Sequence, residues 1–516
     1  MSINHTISTL STLFLALSLS VPCLAQDWPV LDARDYSHWV EFFDVMEDES
    51  VVNAIPDSLA WGWMQDNIPL LDCPDKEFEQ MWYFRWWAFR KHIVETPYGY
   101  ALTEFIIHRS HADKWDMISC AVGHHIYEGR WLRDPKWIED YMRVWFTGDD
   151  GSPMKGYNKF SSWTSYALLE KYKVDLRKDF LLAQLEPLKV KYKEWEDTRV
   201  RPDGLFWQHD VKDGMEESIS GGRRVQNARP TINSYMYANS IALARISEMA
   251  GDRASARQYR AKADRIRKGV LSLWNPDHAF FETVLEDGSF AQAREAIGFI
   301  PWYFGIPDKG TYDSAWAQLN DPEGFCAPAG LTTAERRHPD FRTHGFRTCE
   351  WDGAIWPFAT SQTLTALANF LNDYGPQEVA GKADWWREMK KYEVSQHKKG
   401  IPYVGEYQDE ITGEWVFGDA ERSRWYNHST WADLVVTGLA GIRPSEGNKL
   451  TVNPLLPQGT WDWFCLDAVP YHGHIITVLW DVDGRRYGRG AGLTVLVDGK
   501  PAGNRTDLGK LEITLR

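Results

Sequence analysis

The chain has 516 residues, of which 43% are hydrophobic and 25% charged, and its formal net charge is -15. This composition is typical of a folded globular protein and excludes long disordered tails, while the negative charge argues against nucleic acid or an anionic membrane as a partner. The 27 tryptophans exceed what a core of this size requires, and flat indole rings suit surfaces that stack on sugars as well as core packing.

Residues 1–25 have the pattern of a secretory signal. The apolar run 13–21 is too short to span a bilayer, and a small residue, Ala25, ends the segment. We therefore expect an exported protein, secreted or periplasmic, with no membrane insertion. The five cysteines that would remain are widely spaced and fit no zinc pattern; a single bridge between Cys326 and Cys349 is one open pairing.

Residues 26–75 show little periodicity and are predicted to form an N-terminal extension. Helical periodicity dominates residues 76–443, and Gly251 followed by Asp252 is predicted to end one helix and cap the next. The helical runs lie near residues 78–93, 114–127, 135–146, 159–172, 178–195, 231–250, 253–274, 292–304, 312–319, 354–374, 376–392 and 426–439. Helical hairpins in this number predict a mainly α fold, an (α/α)6 toroid that forms the catalytic domain.

Residues 444–516 change to short runs rich in β-branched residues, separated by Gly, Pro and Asp turns. They predict a small antiparallel β-sheet or sandwich that acts as a structural cap rather than as a sugar-binding module. Asp481 to Gly484 match the start of a calcium-binding loop, but the downstream Glu is missing, so we predict a hairpin turn there.

The stretch 203–229 is an acidic, aromatic loop that leads directly into a predicted helix. An enzyme that cleaves a glycosidic bond needs two carboxyl groups, one to protonate the leaving oxygen and one to activate water or attack carbon. Apolar neighbours, including Trp207, are suited to desolvate a carboxyl and raise its pKa. Four carboxylates compete for the role of the acid, and composition does not choose among them: Asp210, Asp213, Glu216 and Glu217.

A second candidate carboxyl, Glu406, lies between Gly405 and Tyr407 in a segment without helical period. A third acidic cluster, Glu350-Trp351-Asp352, precedes a predicted helix. Asp352 is suited either to cap that helix or to bind substrate hydroxyls, and both roles stay open.

His124, His125 and Glu128 share a predicted helix, and the i, i+4 spacing of His124 and Glu128 resembles part of a metal site. No further ligand cluster lies nearby in the sequence, so we expect no metal and no cofactor. His125 is interpreted as a substrate contact or as a core histidine, and Arg229 is predicted to aim its guanidinium at the site.

Three blocks together resemble glycoside hydrolase family 63 and its mannosylglycerate-hydrolase-like relatives. They are GEYQDEITGEW, CEWDGAIWPFATSQTL and RPTINSYMYANSIALARI. The resemblance implies an (α/α)6 toroid, an inverting mechanism and α-linked substrates. It places Glu406 at the general base and Asp213 at the general acid. The chain lacks the Glu-Ser-Gly that precedes the acid in that family, so Asp210 and Glu216 remain alternatives, and it lacks the family's large N-terminal β-sandwich.

The resulting hypothesis is an exported, exo-acting glycoside hydrolase that cleaves α-linked sugars from oligosaccharides or polysaccharides, with Asp213 as acid and Glu406 as base. Two other functions stay open: a polysaccharide lyase with a Tyr or His base, and a non-catalytic sugar-binding protein. The sequence does not indicate an oligomeric state. The predicted substrate-binding residues are Trp207, Asp210, Glu216, Arg229, Tyr235, Glu350, Trp351, Asp352, Trp356, Trp425 and His125.

Overall fold

The computed structural model describes residues 29–344 and 349–516. The predicted signal segment, residues 1–25, lies outside the described residues. Within the two described ranges, no helix combines the length and the apolar character needed to cross a bilayer.

Helices are the predominant regular secondary structure up to residue 440. They are α1 (Ser37–Asp44), α2 (Ala60–Asn67), α3 (Lys76–Lys91), α4 (Val122–Gly129), α5 (Lys136–Thr147), α6 (Thr164–Asp175), α7 (Lys178–Ala183), α8 (Leu185–Arg199), α9 (Asp210–Asp213), α10 (Pro230–Met249), α11 (Arg253–Leu271), α12 (Ile300–Tyr303), α13 (Pro357–Asp373), α14 (Lys382–Ser395) and α15 (Trp431–Leu434), the last followed by a π-helical turn, Val435–Leu439.

The helices form the predicted (α/α)6 toroid of helical hairpins. In the hairpin of α10 and α11, α10 is buried along most of its length whereas α11 buries one face. The turn between them follows the sequence prediction: Gly251 has a positive φ of 80°, and the carboxylate of Asp252 accepts a hydrogen bond from the backbone N–H of Ser255. Local sequence therefore determines where one helix ends and the next begins.

Several helices begin later than their periodicity predicts. The run from Lys114 forms two short 3-10 turns before α4 starts at Val122, and the run from Tyr426 stays irregular until Trp431. The segment 292–304 contains only a 3-10 turn and the four residues of α12. Many hydrophobic residues in these stretches are buried, so their spacing mimics a helical period without helical hydrogen bonds.

The C-terminal β region contains a five-stranded and a three-stranded antiparallel sheet. In the order of the described chain, the strands are β1 (Leu70–Asp72), β2 (Ile93–Thr96), β3 (Gly99–Leu102), β4 (Trp274–Asn275), β5 (Phe280–Phe281), β6 (His397–Lys398), β7 (Ile401–Pro402), β8 (Ile442–Arg443), β9 (Lys449–Val452), β10 (Trp463–Tyr471), β11 (His474–Asp481), β12 (Gly492–Val497), β13 (Lys500–Arg505) and β14 (Leu511–Thr514). Strands β2 to β7 form three two-stranded hairpins within the helical part of the chain. The larger sheet has the order β1-β10-β11-β12-β13 and the smaller β14-β9-β8.

Strand β1 belongs to the segment that the sequence marks only as an extension, and it pairs with β10, nearly four hundred residues later. The sequence did not predict this pairing, because the three residues of β1 are too few to show the alternation of polar and apolar residues that marks a strand. After β11, Asp481 accepts a hydrogen bond from the backbone N–H of Gly484, so the segment is a turn as predicted. The predicted domain boundaries at residues 75 and 443 stay predictions.

Candidate active site

Four segments meet at one end of the toroid, and we call them the site loops: 103–121, 203–229, 349–356 and 403–430. Three of them lead directly into α10, α13 and α15, and the first leads into α4. Backbone hydrogen bonds join them. The amide of Trp351 donates to the carbonyl of Glu216 at 3.1 Å, and the amide of Asn427 donates to the carbonyl of Glu104 at 2.9 Å. The acidic segments that the sequence singles out therefore converge at the N-terminal ends of buried helices.

Glu216 lies just after a tight turn in the 203–229 loop. The turn follows α9 and uses Gly214 in the left-handed region, at φ 74°. Glu216 is half-buried, and burial raises its pKa to about 7, with a further contribution from the carboxyls of Asp210 and Glu406. Among the described residues, none donates a side-chain hydrogen bond to its carboxyl. A carboxyl that stays protonated near neutral pH and is not tied to a partner can donate a proton to a substrate.

Asp213 does not have the environment that a general acid needs. Its side chain is 0% exposed and forms an ion pair with Arg229, with Oδ2 2.8 Å from Nε, and the hydroxyl of Thr231 donates to the same oxygen. A carboxylate that is enclosed and paired in this way has no access to a glycosidic oxygen. The environment of Asp213 therefore does not support the predicted role of acid: Asp213 and Arg229 form a buried ion pair that anchors the loop to the start of α10.

Asp210, the other alternative, is buried beneath the same loop. One of its carboxylate oxygens accepts the backbone N–H of Val211 at 2.6 Å, and a Cβ placed on Gly221 would lie 2.5 Å from the Cβ of Asp210. Glu217 pairs with Arg223, which holds its carboxylate in a salt bridge. Of the four candidate carboxylates, Glu216 is therefore the one whose position suits proton donation.

Glu406 is held in the site by two partners from its own loop. Oε1 accepts from the hydroxyl of Ser423 at 3.0 Å and lies 3.1 Å from Nε of Arg422. Burial raises the pKa of Glu406 above its usual value, while the positive charges of Arg422 and Arg109 act in the opposite direction. Glu406 is 3% exposed. A carboxylate fixed in orientation by a guanidinium and a hydroxyl is suited to activate a water molecule.

A third carboxyl, Glu104, lies beside Glu216 and Glu406. It is buried, and the hydroxyl of Tyr426 donates to its Oε1 at 2.6 Å. Burial, together with the neighbouring carboxyls of Glu406 and Glu216, raises the pKa of Glu104 to about 8. Sequence reasoning missed Glu104, because an isolated Glu in Thr103-Glu104-Phe105 carries no motif.

The 349–356 loop supplies a stack of aromatic rings. Trp351 and Trp356 stack with ring centroids 4.6 Å apart, and Trp356 stacks on Tyr407 at 4.9 Å. The hydroxyl of Tyr407 donates to Glu350 at 2.5 Å, and the indole of Trp356 donates to the Glu350 carbonyl at 2.7 Å. Glu350, Trp351 and Trp356 therefore form one unit that supports the segment around Glu406.

Asp352 does not cap α13. That helix begins at Pro357 with Trp356 as its N-cap, whereas Asp352 pairs with Arg342 through Oδ2, which lies 2.7 Å from Nε of Arg342. Its other oxygen, Oδ1, is buried and has no hydrogen-bond partner among the described residues. Of the two roles that the sequence left open, the cap is excluded.

Four other predicted contact residues are enclosed by protein. They are Arg229, paired with Asp213; Tyr235, whose hydroxyl accepts from Gln362 at 2.7 Å; His125, placed between Tyr141 and the carbonyl of Asn427; and Trp425, packed edge-on against Trp87. Their protein partners give each of these side chains a packing role, and direct contact with substrate stays a prediction for them. Trp207 stays half-buried at the edge of the site loops, with the guanidinium of Arg199 4.3 Å from its ring centroid.

Two buried histidines, His124 and His428, lie beneath the loops and have no hydrogen-bond partner on either ring nitrogen within the described ranges. Burial lowers both pKa values well below the usual value, so both imidazoles are neutral. Among the described residues, no group of three or more His, Cys, Asp or Glu side chains is arranged to hold a metal ion. Within the described ranges no disulfide joins Cys326 to Cys349, so the candidate bridge between them is not formed.

Comparison with known proteins assigns most of the helical region, with three of the site loops, to a family. The model of the mannosylglycerate hydrolase MGH1-like glycoside hydrolase domain matches residues 114–429, and the model of the glycosyl hydrolase family 65 C-terminal domain matches residues 442–503. A periplasmic trehalase of Salmonella schwarzengrund (strain CVM19633) is 27% identical over 158 residues, which are 30% of this chain and 25% of that protein.

Solved structures agree with the fold. A structure named sialidase is 54% identical with a TM-score of 0.92 and covers 94% of this chain, and the match covers 45% of that chain. The mannosylglycerate hydrolase of Thermus thermophilus is 14% identical with a TM-score of 0.52, over 69% of this chain and 98% of its own; this likeness concerns the fold alone. The chain thus spans less than half the length of the sialidase-named chain and a quarter of the trehalase. Because one family model matches more than half of its residues, the chain belongs to the mannosylglycerate hydrolase MGH1-like glycoside hydrolases.

Proposed function

We propose that this glycoside hydrolase is an exported, exo-acting enzyme that removes α-linked sugars from oligosaccharides or polysaccharides by inversion, with Glu216 as general acid and Glu406 as general base. The observation that carries the proposal is the contrast between the two carboxyls. Glu216 has a pKa near 7 and no side-chain partner among the described residues, whereas Glu406 is oriented by Arg422 and Ser423.

In this mechanism Glu216 transfers its proton to the glycosidic oxygen as the bond from that oxygen to the anomeric carbon breaks. Glu406 removes a proton from a water molecule, whose oxygen attacks the same carbon from the opposite face. The products are a sugar of inverted anomeric configuration and the protonated leaving group. Afterwards Glu216 is ionised and Glu406 is protonated, so one proton exchange with solvent restores the enzyme. Inversion requires a separation of about 6.5–9.5 Å between the two carboxyls to accommodate the water.

Exo action is supported by the enclosure of the site. Glu406 is buried behind loops that hydrogen-bond to one another, and a closed end of this kind favours the terminal unit of a chain over an internal one. The stack of Trp351, Trp356 and Tyr407 provides an aromatic support next to the base. The α-linkage and the inverting outcome follow from the resemblance to glycoside hydrolase family 63.

Export to the periplasm or the exterior is supported by the apolar run 13–21 and by the relative named periplasmic trehalase. The net charge of -15 argues against nucleic acid as a partner. Tyr235, His124 and His125, the bases that a lyase would use, are all enclosed, so no observation favours the lyase.

The test is a panel of para-nitrophenyl α- and β-glycosides and of plant and algal oligosaccharides, with the first-formed anomer read by NMR. The proposal predicts release of single terminal sugars from an α-linked substrate, with the β-anomer appearing first. A first-formed anomer of retained configuration would refute inversion, and release of internal fragments would refute exo action.

A further inference from the structure

We propose that Glu104 is a third functional carboxyl of the site: placed between the loops of Glu216 and Glu406, it acts in its uncharged form as a hydrogen-bond donor that positions the reacting groups. This inference rests on the proposed roles of Glu216 and Glu406. The residue precedes the matched family domain, which starts at residue 114.

The first observation is that Glu104 is tied to the loop of the base. Tyr426 donates its hydroxyl to Oε1 at 2.6 Å. The main chains are joined as well, since the amide of Asn427 donates to the Glu104 carbonyl at 2.9 Å and the Asn427 side chain donates to the carbonyl of Thr103 at 3.2 Å. Glu104 therefore keeps a constant position relative to the segment that carries Ser423 and Arg422.

The second observation is that Glu104 also adjoins the loop of the acid. The thiol of Cys120 lies 3.9 Å from Oε2 of Glu104, and the Cβ of Cys120 is 3.4 Å from where a Cβ on Gly214 would lie. Gly214 is two residues before Glu216. Oε1 of Glu104 thus contacts the loop of the base directly, and Oε2 faces Cys120, which packs against the loop of the acid.

The third observation is electrostatic. Three carboxyls within one buried space cannot all ionise, because each negative charge raises the pKa of its neighbours. Glu406 has nearby cations, Arg422 and Arg109, whereas the pKa of Glu104 is raised to about 8 by burial and by Glu406 and Glu216. Glu104 is consequently protonated at neutral pH, and it keeps its proton to a higher pH than Glu216 does. The other titratable and charged groups around these three carboxyls include Tyr426, Cys120, Tyr141, Asp210, Arg223, Arg109 and Arg422.

A protonated Glu104 has one O–H to donate. Its Oε1 already accepts from Tyr426, so the proton on Oε2 is available to a substrate hydroxyl or to the attacking water. Ionisation of Glu104 would remove this donor and place a negative charge beside Glu406, which would raise the pKa of the base. Loss of the donor reduces activity above the pKa of Glu104.

The experiment measures the pH dependence of kcat/KM for wild type, Glu104→Gln and Glu104→Leu on the best substrate that has a sugar as leaving group, since cleavage of such a substrate needs the proton of Glu216. Because two protonated groups are required, Glu216 and Glu104, log kcat/KM of the wild type should fall with a slope approaching -2 above pH ~8. Glu104→Gln, which keeps a donor and cannot ionise, should stay within about threefold of wild type at pH 6 and fall with a slope of -1. Glu104→Leu should lose about 10- to 100-fold in kcat.

Glu393→Gln is the matched control, because Glu393 is buried with a pKa raised to about 7 but pairs with Lys390 on the outer helix α14; it should leave the slope at -2. Thermal unfolding of each variant separates a folding defect from a loss of kcat. A slope of -1 in wild type, or unchanged kinetics in Glu104→Leu, would overturn the inference. A loss in Glu104→Gln as large as that in Glu406→Gln would overturn it too, because Glu104 would then act as a charged base. If wild type hydrolyses no glycoside at all, the proposed function fails instead.

Discussion

Replacing Glu406 with Gln is the most direct test of the base. The substitution removes the negative charge but keeps an oxygen that can accept from Ser423, and it is nearly isosteric, so the loop should keep its conformation. Loss of a general base typically reduces the rate about 10²–10⁴-fold, and each factor of ten corresponds to about 1.4 kcal/mol in the activation free energy. We therefore expect kcat to fall by about a thousandfold, or roughly 4 kcal/mol.

The stability of Glu406→Gln should fall less than its activity. Arg422 loses a charged partner, but its side chain is 21% exposed and can be hydrated, so we expect a cost of about 1–3 kcal/mol in the free energy of unfolding. Thermal unfolding measures this cost, and calorimetric titration with substrate measures binding, which should persist.

Glu414→Gln is the matched control for this variant. Glu414 lies in the same loop, eight residues later, and is exposed to solvent, so its replacement should leave kcat within experimental error. The reasoning is refuted if Glu406→Gln retains more than a tenth of the wild-type kcat while Glu414→Gln behaves like wild type. It is also refuted if binding and activity fall together, since that would indicate a positional role for Glu406.

Three further predictions concern the acid and the pH dependence. Glu216→Gln should lose about 10²–10³-fold on substrates with a sugar leaving group but much less on para-nitrophenyl glycosides, whose leaving group needs no proton; equal losses on both would refute the role of acid. Asp213→Asn should leave Arg229 buried without its charge partner and destabilise the protein by about 3–5 kcal/mol, which a denaturant titration would detect. Unchanged stability together with abolished catalysis would instead indicate that Asp213 is the general acid. Finally, kcat/KM should have a bell-shaped dependence on pH. On the acid side, activity is lost as Glu406 becomes protonated, at a pKa above the usual value of a glutamate. On the alkaline side, activity is lost as Glu216 ionises at about pH 7. The alkaline limb near pH 7 should be missing in Glu216→Gln, and its persistence there would contradict the assignment.

Much of the architecture could be predicted from local sequence. The helical period in α10 and α11, the Gly251-Asp252 boundary between them and the change to β-branched runs after residue 444 all depend on neighbours within one or two turns of chain. Those signals led to the (α/α)6 toroid with a C-terminal β region. They failed where loops contain helix-like spacing, as before Val122 and Trp431, and where a three-residue strand pairs with a distant one.

The two candidate catalytic loops were identified from sequence, but the choice of the acid was not. Asp213 and Glu216 lie three residues apart in the same acidic loop, and nothing local distinguishes them. What separates them is contact with residues distant in the chain. Arg229 and Thr231 hold Asp213 in a closed ion pair, while the carboxyl of Glu406 adds to the burial that keeps Glu216 protonated.

Glu104 illustrates the same limit, because its importance arises from Tyr426, more than three hundred residues away. Hydrophobic period and capping are short-range properties and can be read along the chain. Burial, pairing and the pKa of a carboxyl depend on the charges and the solvent that surround it in three dimensions, and these are defined only when the site loops meet at the end of the toroid.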